Sequence, residues 1–517
     1  MPVVFNAQDG QKAIFDALLD ARDKYGAKKL ILEDQDRNPL SYTDLVRASF
    51  ALGRKIAAMT KPGEHVGVLL PSGAGAVVTF FALHAFGRVP TMLNFTAGLR
   101  NLRAACELAG VKRVLTAHKF IELGKLHDIV DALEQKAQIT YLEDVRSTIG
   151  LADKLFAAAA GIFPRQFRAS AKPSDPGVVL FTSGSFGAPR GVVLSQANLV
   201  SNAIQIAAHI ELDPAWVFFN PLPVFHCFGL TGGVILPLLT GMKAFQYPSP
   251  LHTKQIPPLL KDAGASVLLA TDTFVNQYAR ASESDELSGL KFVVCGAEKV
   301  REETHNLIAE KFGNVPVLEG YGATEASPVI AVNKPDDNRR GTVGGLLPGQ
   351  DWKIEPVEGI TEGGRLLVRG PNIMTGYLRE DGGVDAPEGG WHDTGDVVTV
   401  TDDLWITIKG RVKRFAKIGG EMVSLTAAED LASAVWPDGR HAVISMPDKK
   451  KGEKLVLVTD RQDADVSPLV AHAQSIGAPE LAVPRKILKV TQVPVLGSGK
   501  TDYVAIQRMA DQDAKAA

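Results

Sequence analysis

Between about residues 65 and 145 short apolar runs alternate with helical patterns, and that alternation constrains the fold more than any other feature of the chain. HVGVLL, TMLN, VKRVLTA and ITYLED read as strands, with helices predicted between them over 74–86, 98–108 and 119–135. Strands separated by helices pair in parallel and need cover on both faces, so the pattern predicts a doubly wound sheet. The same rhythm returns from Val178 to about Ile330, including FVVCGAE and a helix over 301–312. From Gly341 to Lys409 the texture changes to short strands with glycine turns (GRLLVRG, DVVTV, LWITIKG), as in a small β-barrel or β-subdomain. From Gly410 a last unit mixes helices and strands. The expected architecture is α/β: a large N-terminal domain over 1–410 with two sheet subdomains and a β-subdomain at about 341–409, then a small α+β domain over 411–517.

At 517 residues, 45% hydrophobic and 22% charged, the chain can bury a large core in several domains. A formal net charge of −2 gives no sign of a nucleic-acid binder. That charge is unevenly divided: residues 411–517 hold 16 Lys+Arg against 13 Asp+Glu, leaving 40 against 45 for residues 1–410. The basic excess gathers in Arg411, Lys413, Arg414 and Lys417 and in Lys449, Lys450, Lys451 and Lys454, either as a solvated face or as a dock for an acidic partner. Cys106, Cys227 and Cys295 are too widely spaced for a disulfide framework or a CxxC site, and buried thiols in a reducing cytosol are expected. The N-terminus lacks the basic start and apolar core of a signal peptide, so the expected location is cytoplasmic. The apolar stretch 228–245 is too short and too broken by glycine and proline to cross a membrane. A second stretch, 155–163, lies beside Arg165, Arg168 and Lys172 and reads as a buried helix, with peripheral membrane contact as the alternative.

Chemistry enters at residues 181–195, FTSGSFGAPRGVVLS. Thr182, Ser183, Gly184, Ser185 and Gly187 offer hydroxyls and bare backbone N–H groups, and Arg190 adds a cation, which together suit a polyphosphate. The segment reads strand–loop–strand with a helix from about Gln196, and it does not fit the Walker pattern G-x-x-x-x-G-K-[ST]. An ordinary Ser/Gly hairpin turn is the bland alternative.

Four more motifs follow. GYGATE at 320–325 places Tyr321 to stack on a purine, Thr324 to bond an α-phosphate and Glu325 to hold Mg²⁺ directly or through water. HDTGD at 392–396 sets Asp396 after a glycine turn, where it could accept from ribose hydroxyls. GRVKRFAKIGGEMVSL at 410–425 supplies Arg411 to the same ribose and then a double-glycine loop, and PVLGSGKTDY at 494–503 presents Lys500 on a glycine-rich turn. Singly, these residues also read as a packing aromatic, a turn residue, a surface ion pair and a solvated tip.

In this order the motifs resemble the adenylate-forming superfamily of acyl-CoA synthetases, luciferases and peptide-synthetase adenylation domains, over essentially the whole chain. TMLNFTAGLRNL, YPSPLH, GAEKV, GPNIM-GYLR, GRVKRFAKIGGEMVSL, ELAVPR and PVLGSGK look closest to the synthetase half of bacterial 2-acylglycerophosphoethanolamine acyltransferase/acyl-[acyl-carrier-protein] synthetases. No histidine here begins the HxxxxD motif of the acyltransferase half.

The resemblance implies an ATP- and Mg²⁺-dependent fatty acid ligase that forms acyl-AMP and pyrophosphate and then passes the acyl group to a phosphopantetheine thiol. It implies Lys500 as the group bridging carboxylate and α-phosphate, and Thr182 with Glu325 at the metal. Gly296, Ala297, Glu298 and Gly322 join Tyr321 at the nucleotide, and His226 becomes a gate between acyl pocket and thiol tunnel. Gly419 and Gly420 would line that tunnel after the C-terminal domain rotates about a pivot near 410–415. Phe186, Arg190 and Arg414 depart from the superfamily's usual residues. The expected acceptor is holo-acyl carrier protein, steered by Lys449, Lys450, Lys451 and Lys454. Coenzyme A is the alternative, and a catalytically silent nucleotide-binding regulator is the reading from a different class.

Overall fold

The computed structural model describes residues 4–183, 189–283, 286–313, 315–418, 421–448, 452–496 and 500–516. The alternation at 65–145 folds as a parallel run: strands His65–Val68, Val89–Met92, Arg113–Thr116 and Gln138–Tyr141 lie in one eight-stranded sheet. Helices Ala74–Ala85 and Leu99–Leu108 connect them. The third expected helix is two, His118–Gly124 and His127–Glu134. Lys125 takes left-handed backbone (φ +52) and Leu126 N donates to Ile121 O at 2.9 Å, a helix-ending bond that periodicity alone does not reveal.

The same sheet holds the antiparallel hairpin Pro176–Ser183 and Pro189–Ser195, and helix Gln196–His209 follows as expected. That helix starts at a reciprocal cap, Ser195 with Asn198. The second large sheet has nine strands. Leu30–Asp34, Lys243–Gln246, Val217–Asn220, Val267–Ala270, Phe292–Cys295 and Val317–Gly322 run parallel in that spatial order, with short antiparallel strands at the edges. One apolar core, including Phe50, Phe81, Leu199, Val234, Phe245 and Leu268, joins elements of both sheets.

The expected β-unit is a four-stranded antiparallel sheet of Asp351–Glu355, Gly364–Arg369, His392–Val400 and Ile406–Arg411. Its outer strands do not pair with each other among the described residues, so it is an open sheet. Gly376–Leu378 and Val384–Asp385 leave it and extend the eight-stranded sheet beside Pro189–Ser195. Alternation marks such segments as strands but does not say which sheet they join. Beyond Arg411, strands Phe415–Ile418, Glu421–Ser424, His441–Asp448, Gly452–Thr459 and Lys486–Lys489 form a separate five-stranded sheet. It has two apolar clusters of its own, drawn entirely from residues 416–510.

The 155–163 stretch differs from expectation. Helix Leu151–Ile162 buries Ala157 and Ala160 but turns Leu151, Leu155 and Ile162 outward, with Phe163 beyond it. Its inner face is alanines with Phe156, which packs against Phe50, Phe86 and Phe167, while the remaining large side chains lie outside. Among the described residues no helix is long and apolar enough to cross a membrane. All three cysteines are buried, and burial pushes Cys106 and Cys227 up to about 12.

His84 is sealed in the core, and burial pushes its imidazole down to about 3. Gln196 fixes its form: Ile14 N donates to Gln196 Oε1 at 3.0 Å, which turns the amide Nε2 toward His84 Nδ1 at 3.1 Å as a donor. The unfolded chain protonates this histidine near pH 6.5 whereas the folded chain does not until about 3, so the unfolded state binds more protons in between. Stability is therefore full above pH 6.5 and falls as pH drops below it. His84 alone contributes a loss of about 2 kcal/mol at pH 5, and His209 and His226, both pushed to about 4, act in the same direction. Urea midpoints should fall from pH 7 to pH 5, less steeply in His84→Gln; equal slopes in the two proteins would contradict this.

Candidate active site

The parallel strands of the nine-stranded sheet end together, and candidate residues hang from those ends, where open α/β sheets bind ligands. Phe292–Cys295 runs into Gly296, Ala297 and Glu298, and Val317–Gly322 delivers Tyr321, Gly322 and then the turn Thr324–Ala326. Ala297 sits at φ +71, a backbone region that costs a non-glycine residue about 1–3 kcal/mol and that clusters at functional sites. Gly322 is required by close approach, because a Cβ there would lie 2.0 Å from Pro328 O. Glu298 accepts from Thr273 N at 3.1 Å and Thr273 Oγ1 at 2.8 Å. Arg440, from beyond residue 411, donates to the same Thr273 hydroxyl. Burial raises the Glu298 carboxyl, and Thr273 and Arg440 oppose it.

Tyr321, Asp396 and Arg411 form one cluster. The Tyr321 hydroxyl donates to Asp396 Oδ2 at 2.5 Å, and Arg411 Nε meets Asp396 Oδ1 at 2.9 Å. Strand register explains the second contact, since Asp396 and Arg411 are paired across an antiparallel ladder. Burial raises the Asp396 carboxyl, opposed by Arg411 and Tyr321, while burial and the Asp396 charge hold the Tyr321 phenol well above its usual range. A carboxylate offers roughly four acceptor positions, so Asp396 keeps capacity for further donors.

The hairpin and the GYGATE turn come from different sheets, and Tyr377 joins them. The Arg190 guanidinium stacks 3.7 Å from the Tyr377 ring centroid, and the Tyr377 hydroxyl donates to Glu325 Oε1 at 2.8 Å. Thr182 pairs with Arg190 across the hairpin, and Thr324 precedes Glu325 in its turn. A cleft runs past Arg190, Tyr377 and His392. His392 is buried, which lowers its imidazole, while Glu325, Asp393 and Asp396 pull the other way.

Lys500 reaches the same place from the end of the chain. Its turn is closed by Leu496 N donating to Lys500 O at 2.7 Å and by a Val495–Thr501 bridge. The ammonium is lowered first by desolvation and then by Arg411, against the opposing pull of Glu298, Asp396 and Glu325. Lys500 itself is exposed, so that desolvation is partial. His226, on the segment leading into the glycine-rich helix Phe228–Ile235, is pushed to about 4 by burial and by Lys500, and so stays neutral near pH 7. Gly296 faces this helix, with Phe228 3.1 Å from where its Cβ would be.

Several expected residues fall outside the described ones: Gly184, Ser185, Phe186 and Gly187 of the hairpin loop, Gly419 and Gly420, and Lys449, Lys450 and Lys451, together with the side chain of Ser183. Lys454 lies exposed on strand Gly452–Thr459 of the small sheet. Tyr377, Thr273, His392 and Arg440 were not among the expected site residues. Tyr377 and His392 sit in motifs already noticed, GYLR and HDTGD, but their partners are distant in sequence.

A sequence profile of the AMP-binding enzymes matches residues 19–378. The chain belongs to the AMP-binding enzyme family. Among the family's curated proteins, 4-coumarate–CoA ligase 2 of Oryza sativa subsp. japonica is 26% identical over 446 residues, covering 78% of this chain and 76% of its own. A long-chain-fatty-acid–CoA ligase of Yersinia pestis is 28% identical over 320 residues, covering 58% and 56%. Among solved structures, ATP-bound MatB from Rhodopseudomonas palustris superposes with a TM-score of 0.82 at 24% identity, covering 98% of this chain and 99% of that one. This AMP-binding enzyme thus shares the family's architecture of a large N-terminal and a smaller C-terminal domain.

Proposed function

We propose that the protein is an acid–thiol ligase that activates a fatty acid as its acyl-adenylate at the expense of ATP and then transfers the acyl group to a phosphopantetheine thiol. The observation that supports it most is geometric: the Tyr321–Asp396–Arg411 cluster and the Arg190–Tyr377–Glu325 contact, with Lys500 within the electrostatic reach of Arg411, Glu298, Asp396 and Glu325. In this reading Tyr321 offers its ring to adenine, and Asp396 and Arg411 hold the ribose. Thr182 and Arg190 face the pyrophosphate that leaves.

The residues fit a magnesium ion held in the manner typical of phosphate substrates. Among the described residues no three His, Cys, Asp or Glu side chains form a metal set, and Mg²⁺ commonly takes one or two carboxylates and completes its shell with phosphate oxygens and water. Glu325 is that carboxylate, oriented by Tyr377, and the ion supplies neutralisation of phosphate charge. Lys500 stabilises the negative charge shared by the attacking carboxylate and the α-phosphate, so catalysis is positioning plus preorganised charge. Thr324 donates to the α-phosphate. His226 stays neutral and gates the passage between acyl pocket and thiol.

The second half-reaction uses the region beyond Arg411 as a lid that rotates near 410–415 and brings Gly419 and Gly420 to the thiol. Acyl carrier protein is our preferred acceptor, because Lys449, Lys450, Lys451 and Lys454 form a basic run in the sequence of the small domain that would attract an acidic carrier. Coenzyme A is the second reading, favoured by relatives that are named CoA ligases. The test is a ladder of fatty acids offered to the purified enzyme with either holo-carrier protein or coenzyme A. Reversing charge at Lys449, Lys450 and Lys451 should lower carrier acylation at low salt and leave adenylation intact; unchanged carrier kinetics would favour coenzyme A.

A further inference from the structure

Arg414 is a largely buried cation whose side-chain bonds lie within the small domain. Its side chain is 16% exposed, and Nη2 donates to Glu429 Oε1 at 2.9 Å and to Val443 O at 3.0 Å. Its guanidinium lies 3.8 Å from the Tyr503 ring centroid. Glu429 closes the unit, accepting from Val443 N at 2.7 Å and from the Tyr503 hydroxyl at 3.0 Å. Two buried charges and a phenol thus satisfy one another, an arrangement that fixes geometry more than it adds stability.

What the unit fixes follows from where its members lie. Tyr503 opens the C-terminal helix Tyr503–Ala516, three residues beyond Lys500. The intervening Asp502 anchors both sides: its N–H donates to Pro494 O at 3.0 Å, and its Oδ1 accepts from Val504 N and Ala505 N at 3.1 and 3.0 Å. The base of the Lys500 turn is therefore held by the helix start that Arg414 and Glu429 grip. In the other direction, Arg414 is three residues past Arg411, which holds Asp396.

The geometry points to Arg414, Glu429 and Tyr503 as a positioning unit that sets the Lys500 turn relative to the strand carrying Arg411. Arg414 then moves with the small domain, and the swivel falls on the residues before it. This rests on the ligase reading above, but it has a readout that does not depend on activity. Hydrogen exchange on the intact protein should show Arg414→Met speeding exchange in 494–502 selectively over strands His441–Asp448 and Gly452–Thr459. Uniform acceleration across the small domain, or none in 494–502, overturns the positioning role whatever the enzyme's reaction.

In fatty-acid-dependent ATP–pyrophosphate exchange, Arg414→Met should lower kcat by roughly 10- to 100-fold, the scale of a misplaced catalytic group, with the KM for ATP little changed. Tyr503→Phe, which keeps the ring and removes only the hydroxyl, should lower kcat less. In a Lys500→Ala background neither substitution should reduce exchange further, because the group being positioned is gone. Equal losses with and without Lys500 would mark the unit as merely structural. Absence of exchange in the unaltered enzyme would count against the ligase reading, leaving hydrogen exchange to decide the positioning claim.

Discussion

Lys500→Ala is expected to cut acyl-adenylate formation by about 10²–10³-fold, the usual effect of removing one preorganised charge from a transition state. Nucleotide binding should survive, because Tyr321, Asp396 and Arg411 form their cluster without Lys500. Stability should change little, since the residue lies on a water-accessible turn. Transfer of a supplied acyl-adenylate to the thiol should also survive, as the lysine serves only the first half-reaction in this scheme. Single-turnover measurement of acyl-adenylate, paired with calorimetric titration of ATP, separates these expectations. Retained adenylation would remove Lys500 from the chemistry.

Asp396→Ala should fail differently. Hydrogen bonds to a charged group contribute about 1.5–3 kcal/mol each, so if Asp396 holds the ribose as proposed, its loss is expected to raise the KM for ATP by roughly 10- to 100-fold. Arg411 remains in water, its side chain 66% exposed, and its lost partner should matter little for folding. Tyr321 carries the cost: its buried hydroxyl loses the Asp396 carboxylate and keeps only Thr394 beside it, at up to about 1–3 kcal/mol. The melting temperature should therefore drop along with ATP affinity. Asp396→Asn, which can still accept from Tyr321, should recover more of the stability than of the affinity. If both substitutions leave the KM for ATP unchanged, Asp396 supports Tyr321 and nothing more.

The parts of the molecule readable in sequence were those encoded locally. Strand–helix alternation at 65–145 and the hairpin before Gln196 are short-range patterns, and both appear in the fold. What failed depended on partners. The break at Lys125 needed a single left-handed residue inside an otherwise helical pattern, and the departure of Gly376–Leu378 to another sheet needed knowledge of its neighbour. The outward face of Leu151–Ile162 was misread as buried because apolar content does not say which side meets the core.

The site shows the same division. Tyr321, Asp396, Arg411 and Lys500 each stand in a motif read on its own; the structure bonds Tyr321 and Arg411 to Asp396 and brings Lys500 within the electrostatic range of Arg411 and Asp396. The links between motifs were invisible. Tyr377, which stacks on Arg190, reaches Glu325 across 52 residues, and Arg440 reaches Thr273 across 167. Tyr377 lies in the GYLR motif, but neither residue's partner is legible locally, since each contact exists only after distant segments have packed.

Pyrophosphate release measured with ATP and Mg²⁺, with and without added fatty acid and with no thiol present, tests the central claim most directly. The account predicts release that requires the acid, stops near one equivalent per enzyme and leaves bound acyl-adenylate. Tight ATP binding with no acid-dependent pyrophosphate from any fatty acid would contradict it and leave a nucleotide-binding protein without this chemistry.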